Sequence, residues 1–286
     1  MGTFRELSTF NYWLKKEKDL FTVNVIKGMI MDGVRKANSG HTGGPMSSAD
    51  FVYILFTEFL KQDPHDPDWI ARDRFVLSAG HESMLLYVLL FLSGRLNLDD
   101  LKEFRQLHSK TPGHPEVEIP GVDATTGPLG QGVGMATGMA LAEIILDNLF
   151  SKIGFNHLNH FTYVLASDGD LQEPVTFGAA ALAAHWRLAK LIMFYDSNKA
   201  QISGQTNRSE STDIATVFEG LCWHVQTIDG HDHQAIREAI QKAQIIDRPS
   251  IIIGQTVMAK GTASMEGDHN THGSPLPQDE DRKSVV

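Results

Sequence analysis

The sequence predicts an α/β protein: a mostly parallel sheet with helices on both faces. Three observations lead there. Short continuous apolar runs alternate with longer helical stretches along the chain. The runs lack the alternation of a half-exposed strand, as strands buried on both faces do. Glycine and small polar residues then follow one run after another, where ligands sit in open parallel sheets.

The strands are expected at residues 75–77, 163–166, 191–195, 224–228 and 250–253, each rich in Val, Ile, Leu, Phe or Tyr. Helices are expected at 21–35, 48–59, 83–92, 129–149, 174–186 and 233–246. Strand, loop and helix repeated in this way build an open sheet covered by helices. Four strand ends carry Ser78-Ala79-Gly80-His81, Ser167-Asp168-Gly169-Asp170, Asp196-Ser197-Asn198 and Asp229-Gly230-His231-Asp232. The chain after Lys260 reads as a loop and then, from 278 to 283, a solvated tail. There is no internal repeat and no low-complexity tract.

Bulk properties narrow the function classes. The 286 residues are 42% apolar and 21% charged, ordinary for a soluble globular chain with a substantial core. One cysteine, Cys222, excludes a disulfide framework and a cysteine-rich zinc site. A formal charge of −10 disfavours a general nucleic-acid binder. No apolar run approaches the ~20 residues of a membrane span. Residues 1–20 lack the apolar core of a signal peptide, and Glu6 stands where a myristoylation motif wants Ser or Thr. The expectation is a soluble cytoplasmic protein that engages neither nucleic acid nor membrane.

Asp168 and Asn198 are thirty residues apart, enough for a loop, a helix and the next strand. Both then end at neighbouring strand tips. A carboxylate and an amide oxygen are hard ligands for Mg²⁺ or Ca²⁺ that also takes phosphate oxygens. Gly169 lets backbone approach a diphosphate, and the following helix N-terminus favours anions. Spacing alone leaves a second reading open, in which Asp168 caps a helix and Asn198 makes a turn.

Longer blocks carry a family resemblance. Ser39-Gly40-His41-Thr42-Gly43-Gly44-Pro45-Met46 is similar to the transketolase loop SGHPG-PMG. Residues 72–81, RDRFVLSAGH, continue the likeness. Thr111-Pro112-Gly113-His114-Pro115-Glu116 and Thr126-Gly127-Pro128-Leu129-Gly130-Gln131-Gly132 form the next block. Residues 167–173 and 194–204 resemble the thiamine diphosphate motif of the family. Asp229-Gly230-His231-Asp232 and His272-Gly273-Ser274-Pro275-Leu276 close the series. The blocks stand in family order from about residue 20 to 276, and the chain resembles the N-terminal, thiamine diphosphate-binding half of a transketolase.

The resemblance implies the diphosphate domain of the thiamine diphosphate-binding fold over residues 1–276, with 277–286 a tail or the start of a linker. It implies that Asp168, Asn198 and the carbonyl of Ala200 hold Mg²⁺, or Ca²⁺ or Mn²⁺. Gly169 would touch the diphosphate and His81 would reach it. Gly127, Pro128 and Leu129 would line the thiamine, and Ile202 would pack on the thiazolium. His41, His114 and His272 would surround the reacting carbon, His272 also meeting the cofactor. Histidine suits these places because ketose cleavage takes a proton from a hydroxyl and later returns one, and imidazole titrates near neutrality. The implied reaction moves a two-carbon ketol unit from a ketose phosphate to an aldose phosphate.

Other features read as structural. His157 and His160 precede a strand and lack matching zinc ligands. Gly130-Gln131-Gly132-Val133-Gly134 fails the G-x-G-x-x-G pattern in both registers, since Met135 and Thr137 replace the third glycine. Asp99-Asp100 and Asp279-Glu280-Asp281 read as solvated charge. Departures from the family pattern are Thr42 for proline, Ser167 for the first glycine of GDG, and Gln172-Glu173-Pro174 for Met-Glu-Gly. Gly178 stands where the family often has a second carboxylate, which puts coupling between cofactor sites in question. Transketolases continue with two further domains. The resemblance therefore implies a companion polypeptide carrying the pyrimidine and C-terminal domains, with two copies of each chain, or else a fragment of a longer chain. A 2-oxo acid dehydrogenase subunit and a non-catalytic thiamine diphosphate module are the rival readings.

Overall fold

Five parallel strands form the sheet: β1 (Arg74–Leu77), β2 (Thr162–Ser167), β3 (Leu191–Ser197), β6 (His224–Asp229) and β7 (Ser250–Gln255). They lie in the order β1-β2-β3-β7-β6. The structure, a computed structural model, describes residues 4–151 and 158–280. Each expected strand is present, lengthened by one or two residues at an end. A hairpin not foreseen from sequence, β4 (Ala200–Gln201) with β5 (Gly204–Gln205), follows β3.

The alternation of side chains explains the apolar runs. Phe75, Leu77, Tyr163, Leu165, Ile192, Phe194 and Ile252 face one core, and Val76, Val164, Ala166, Met193, Tyr195, Ile251 and Ile253 face the other. Strand faces alternate with period two, so a strand covered on both sides must be apolar throughout. The first core also takes α1 (Phe4–Ala37), α2 (Gly43–Ile54), α3 (Ser83–Leu92) and α8 (His233–Ala243). The second takes α5 (Gln131–Ser151), α6 (Pro174–His185) and α7 (Ile214–Gly220). Phe51 of α2 stacks on Phe194 at 3.9 Å between ring centroids, pinning that helix to the sheet centre. β6 departs from expectation: Gln226, Thr227 and Asp229 of this edge strand are not buried, whereas β1 at the opposite edge keeps Phe75, Val76 and Leu77 buried.

Helix boundaries differ for local reasons. α1 begins at Phe4 rather than 21, because the Lys-, Glu- and Leu-rich segment before the apolar repeat is itself helix-forming. α2 begins at Gly43 rather than 48, with Pro45 in the first turn, where a missing N–H costs no helix bond. It ends in a π-turn at Leu55–Phe59. α5 starts after Gly130, whose φ of +78° ends the preceding loop. The short α4 (Leu98–Lys102) was not foreseen. Asp100 belongs to its capping box with Asn97 and is not solvated charge, whereas Asp99 is exposed and paired with Lys102.

Two further expectations are corrected, and the placement of His160 just before a strand holds. Over Gln131–Phe150, α5 is long and apolar enough to cross a membrane by length and composition. Its glycines and alanines hid this from a reading keyed to large apolar residues, and here it packs on α6, β1 and β2. Glu280 is 2% exposed, and its carboxylate accepts from the backbone N–H and hydroxyl of Ser264, so the acidic tail is tied down at that point. His160 lies in the loop before β2, buried, with Nδ1 against the Leu158 carbonyl; burial first, then Arg74, lowers its pKa to about 4. His157 and residues 281–286 lie outside the described residues.

One glycine sets the spacing between α5 and the end of β1. A Cβ at Gly132 would stand 2.5 Å from the Cα of Ser78, and backbone cannot move aside as a flexible side chain can. Gly132→Val should therefore destabilise the fold by about 1–3 kcal/mol, read as a lowered urea midpoint. A wild-type midpoint would show that α5 can shift off β1 without cost.

Candidate functional site

The ends of β1, β2 and β3 open into a cleft of about 390 Å³, within the range of small-molecule sites. Its geometry begins at Asp170, a residue the sequence reading left unassigned. Asp170 Oδ1 accepts from Ser78 Oγ at 2.6 Å and Gly130 N at 2.7 Å. Its Oδ2 accepts from the N–H and hydroxyl of Ser167 at 2.8 and 2.9 Å. The Asp170 carbonyl accepts from Thr176 Oγ1 at 2.6 Å. One carboxylate thus joins the end of β1, the loop before α5 and the end of β2. Ser167 exploits its departure from glycine by donating twice to this hub.

The loop held by Asp170 presents Asp168 and Gly169 to the cleft. Asp168 Oδ1 accepts from Tyr195 Oη at 2.6 Å and Oδ2 from the Lys199 N–H at 3.0 Å. Asn198 comes from the adjacent strand end. Its Nδ2 donates to Asp196 Oδ2 at 2.7 Å and to Ser47 Oγ at 3.3 Å. Asp196 also accepts from Ser47 Oγ at 2.5 Å and from Thr256 Oγ1. Asp196 Oδ2 holds the amide nitrogen of Asn198, which turns the amide oxygen away from it. Asn198 Oδ1 takes the Ala200 N–H at 3.0 Å.

Four histidines form another part of the wall. The His41 and His81 rings are 4.8 Å apart, His41 and His272 5.4 Å, and His81 and His272 5.2 Å between centroids. His114, exposed, lies beside Gly127. Its loop is fastened by Ser83 Oγ to the Gly113 carbonyl and by Tyr87 Oη to the Pro112 carbonyl. The His272 loop is fastened by Thr42 Oγ1 to the Ser274 carbonyl at 3.0 Å, a bond that proline at 42 could not make. Nδ1 of His41 and of His272 is buried without a hydrogen-bond partner.

The wall therefore carries His41, His81, His114, His272, Gly127, Leu129, Asp168, Gly169, Asn198, Ala200 and Ile202. Pro128 stands between two wall residues but is exposed and not on the wall. Ile202 is 73% exposed, a large apolar side chain at the cleft mouth. Sequence reasoning missed Glu82 in the wall and the orienting carboxylates Asp170 and Asp196. It also missed Arg105, which lies against Gly113 and bonds Ser39 Oγ. Acidic residues beside the motif glycines were the available signal. Gly178, on α6, faces open space.

Charge in the cleft is poised for a ligand. Burial, then the neighbouring Asp196 carboxylate, pushes Asp168 up to about 7. A buried carboxylate so strained by its own charge is relieved by a bound cation. Two side chains and the nearby backbone supply hard oxygen donors, the set a cation shared with phosphate requires. Among the described residues no group of three or more His, Cys, Asp or Glu is arranged as a self-sufficient metal site. The donors thus fit a hard cation completed by ligand oxygens. Burial first, then mutual repulsion, lowers His41 to about 4 and His81 well below its ordinary value. Burial alone lowers His272, and burial with Arg105 lowers His114.

Comparison with known proteins decides the family. The model "Transketolase, thiamine diphosphate binding domain" matches residues 18–284. The chain belongs to the transketolase thiamine diphosphate-binding domain family. Transketolase 2 of Escherichia coli strain K12 is 50% identical over 267 residues, covering 92% of this chain and 40% of that protein. A transketolase of Halalkalibacterium halodurans is 46% identical over 270 residues, covering 93% and 40%. The crystal structure of Campylobacter jejuni transketolase superposes with a TM-score of 0.88 at 42% identity, covering 92% of this chain and 42% of that one. A Pichia stipitis transketolase solved with sedoheptulose 7-phosphate gives 0.89 at 40% identity, covering 92% and 39%. The chain spans about 40% of the length of these transketolases.

His41 gives a pH test of the site. Its folded pKa of about 4 lies below the ordinary imidazole value of 6.5, so the unfolded chain binds more protons between these values. Stability from this residue is fully present above 6.5 and is lost as pH falls toward 4. The His41 ring resonance should stay unshifted from pH 8 to 5, and His41→Asn should flatten the acid limb of stability against pH. A ring titrating near 6.5 would show that His41 is not buried as described.

Proposed function

We propose that this chain is the half of a transketolase that grips thiamine diphosphate and a divalent cation, and that it transfers a two-carbon ketol unit once joined to a pyrimidine-domain partner. The observation that carries the reading is the convergence of Asp168, Asn198 and four histidines on one cleft, in a chain of this family. Related proteins solved with fructose 6-phosphate, sedoheptulose 7-phosphate and xylulose 5-phosphate support sugar phosphates as substrates. That chemistry belongs to the interconversions of the pentose phosphate pathway in the cytoplasm.

In this reading residues 1–276 are the diphosphate domain. Asp168, Asn198 and the Ala200 carbonyl hold Mg²⁺, and the backbone of Gly169 meets the diphosphate. His81 adds a donor to the same anion. Gly127 and Leu129 line the thiamine, with Pro128 between them outside the wall, and Ile202 at the cleft mouth covers the thiazolium. When bound, thiamine diphosphate supplies the electron sink for cleavage beside a carbonyl. His41, His114 and His272 work on the sugar. A neutral imidazole offers one acceptor nitrogen and one donor, so each can take a proton from a hydroxyl or return one to an aldehyde oxygen. An anionic ligand raises the lowered pKa values of the buried rings and brings them closer to the working range.

The remaining domains would lie on a companion polypeptide or on the continuation of a longer chain, in an assembly with two copies of each. The apolar side chains exposed along α5 and α6 support a docking surface there: Met135, Ile145, Leu149, Val175 and Leu182 are each between 38% and 58% exposed.

Asp168→Ala should weaken Mg²⁺-dependent uptake of thiamine diphosphate by ~10²-fold or more, since the diphosphate charge is left poorly neutralised. Calorimetry on the folded variant decides it, and an unchanged affinity would remove Asp168 from the metal site. His41→Ala and His114→Ala should keep cofactor affinity yet lower turnover by ~10²-fold, measured as ketol transfer in the presence of the companion. His81→Ala should instead weaken cofactor binding. A common pattern for all three would erase the division between sugar-facing and cofactor-facing rings. Ketol transfer by this chain without the companion would refute the split assignment.

A further inference from the structure

Glu82 is the buried group that this assignment leaves without a task. It follows His81 directly and forms part of the same cleft wall. None of its surface is exposed, and neither carboxyl oxygen has a hydrogen-bond partner. Gly44, in the first turn of α2, makes room for it: a Cβ there would lie 2.8 Å from Glu82 Oε1. Ser48 is near enough for its hydroxyl to act on the carboxyl, but no hydrogen bond of normal length joins them. A carboxyl packed this closely and left unsatisfied is rare in folded proteins.

The surroundings select its protonation state. Among the described residues Glu82 has no salt bridge, and the charged groups acting on it are the carboxylates Asp196 and Asp170. Burial first, then Asp196, holds its pKa well above the ordinary range. An isolated carboxylate in such a place neutralises by keeping its proton. A protonated carboxyl carries one O–H donor, and here neither oxygen makes a hydrogen bond of normal length.

We infer that Glu82 is a ligand-binding residue of this cleft, a neutral carboxylic acid whose O–H donates to an anionic oxygen of the bound molecule. Resting on the function proposed above, that oxygen belongs to the diphosphate. Glu82 and His81 then form adjacent donors that need no positive charge of their own. The anion is recognised by position and by desolvated hydrogen bonds, while its charge is neutralised at Asp168 and Asn198 through the cation.

The test titrates the whole chain with pyrophosphate and with thiamine diphosphate, each with Mg²⁺, in a calorimeter. Glu82→Gln keeps an N–H donor and the shape, and should bind both within about threefold of the parent chain. Glu82→Met fills the space without a donor and should bind both about tenfold or more weakly, the size of one hydrogen bond to a charged group. Infrared difference spectra should show a protonated-carboxyl C=O band that shifts when ligand is added and is missing in Glu82→Gln. Thermal melting checks the fold, and Glu82→Ala replaces Glu82→Met if the latter does not fold. Parent-like affinity in Glu82→Met, or a band unmoved by ligand, overturns the inference. So does Glu82→Gln binding as weakly as Glu82→Met, which would require an ionised carboxylate. Failure of the unmodified chain to bind either ligand would instead overturn the diphosphate reading itself, and it is visible without any variant.

Discussion

The Asp170 carboxylate is the constraint on which this cleft depends. A buried carboxylate needs donors for its lone pairs, and Asp170 finds them on three chain segments far apart in sequence: Ser78, Gly130 and Ser167. The same bonds that satisfy Asp170 therefore fix the relative positions of His81, Leu129 and Asp168, which follow or precede those anchors by a few residues. A loop cluster built only on packing could slide. One built on a single, fully used acceptor has one geometry, because any shift leaves a buried charge without a partner.

A second layer of carboxylates does the same for orientation. Asp196 sets the Asn198 amide, holds Ser47 of α2 and Thr256 after β7, and so joins three elements at the Asn198 end of the cleft. Farther out, Asp50 of α2 takes Lys27 of α1 together with His231 and His233 at the start of α8. His231 Nε2 accepts the Val257 N–H, which makes its Nδ1 the donor to Asp50. That contact steadies the start of the long loop that ends at His272. Acids buried and richly paired for structure thus surround Asp168, whose two oxygens take one donor each, and Glu82, whose oxygens take none. The contrast separates scaffold from site more sharply than residue type does.

Much of this was legible beforehand, and for identifiable reasons. The five strands were visible because a strand covered on both faces admits almost no polar residue, and the exception, β6, is one of the two edge strands. The wall residues were visible because each sits within a short block where glycine, histidine and acid recur after a strand. Short elements escaped: α4, α7 and the β4–β5 hairpin are too brief to show a period and are set by caps and turns. Helix α5 was underestimated because its apolar character is spread over Ala, Gly and Met. Glu280 was misread because an acidic cluster looks solvated until Ser264 is seen folded against it.

The sequence by itself determined the fold class, the strand set and the residues that meet at the cleft, since these follow from hydrophobic period, glycine placement and ordered blocks within the chain. Tertiary structure alone decided which acids serve the scaffold and which remain free for a ligand. Asp168, Asp170, Asp196 and Glu82 look alike in a string of letters. They differ in how many donors surround each one, and donors come from residues dozens of positions away: Ser47 lies 149 residues from Asp196, and Ser78 lies 92 from Asp170. Hydrogen-bond satisfaction is a property of three-dimensional neighbourhood, so the distinction between a structural carboxylate and a waiting one exists only in the folded molecule.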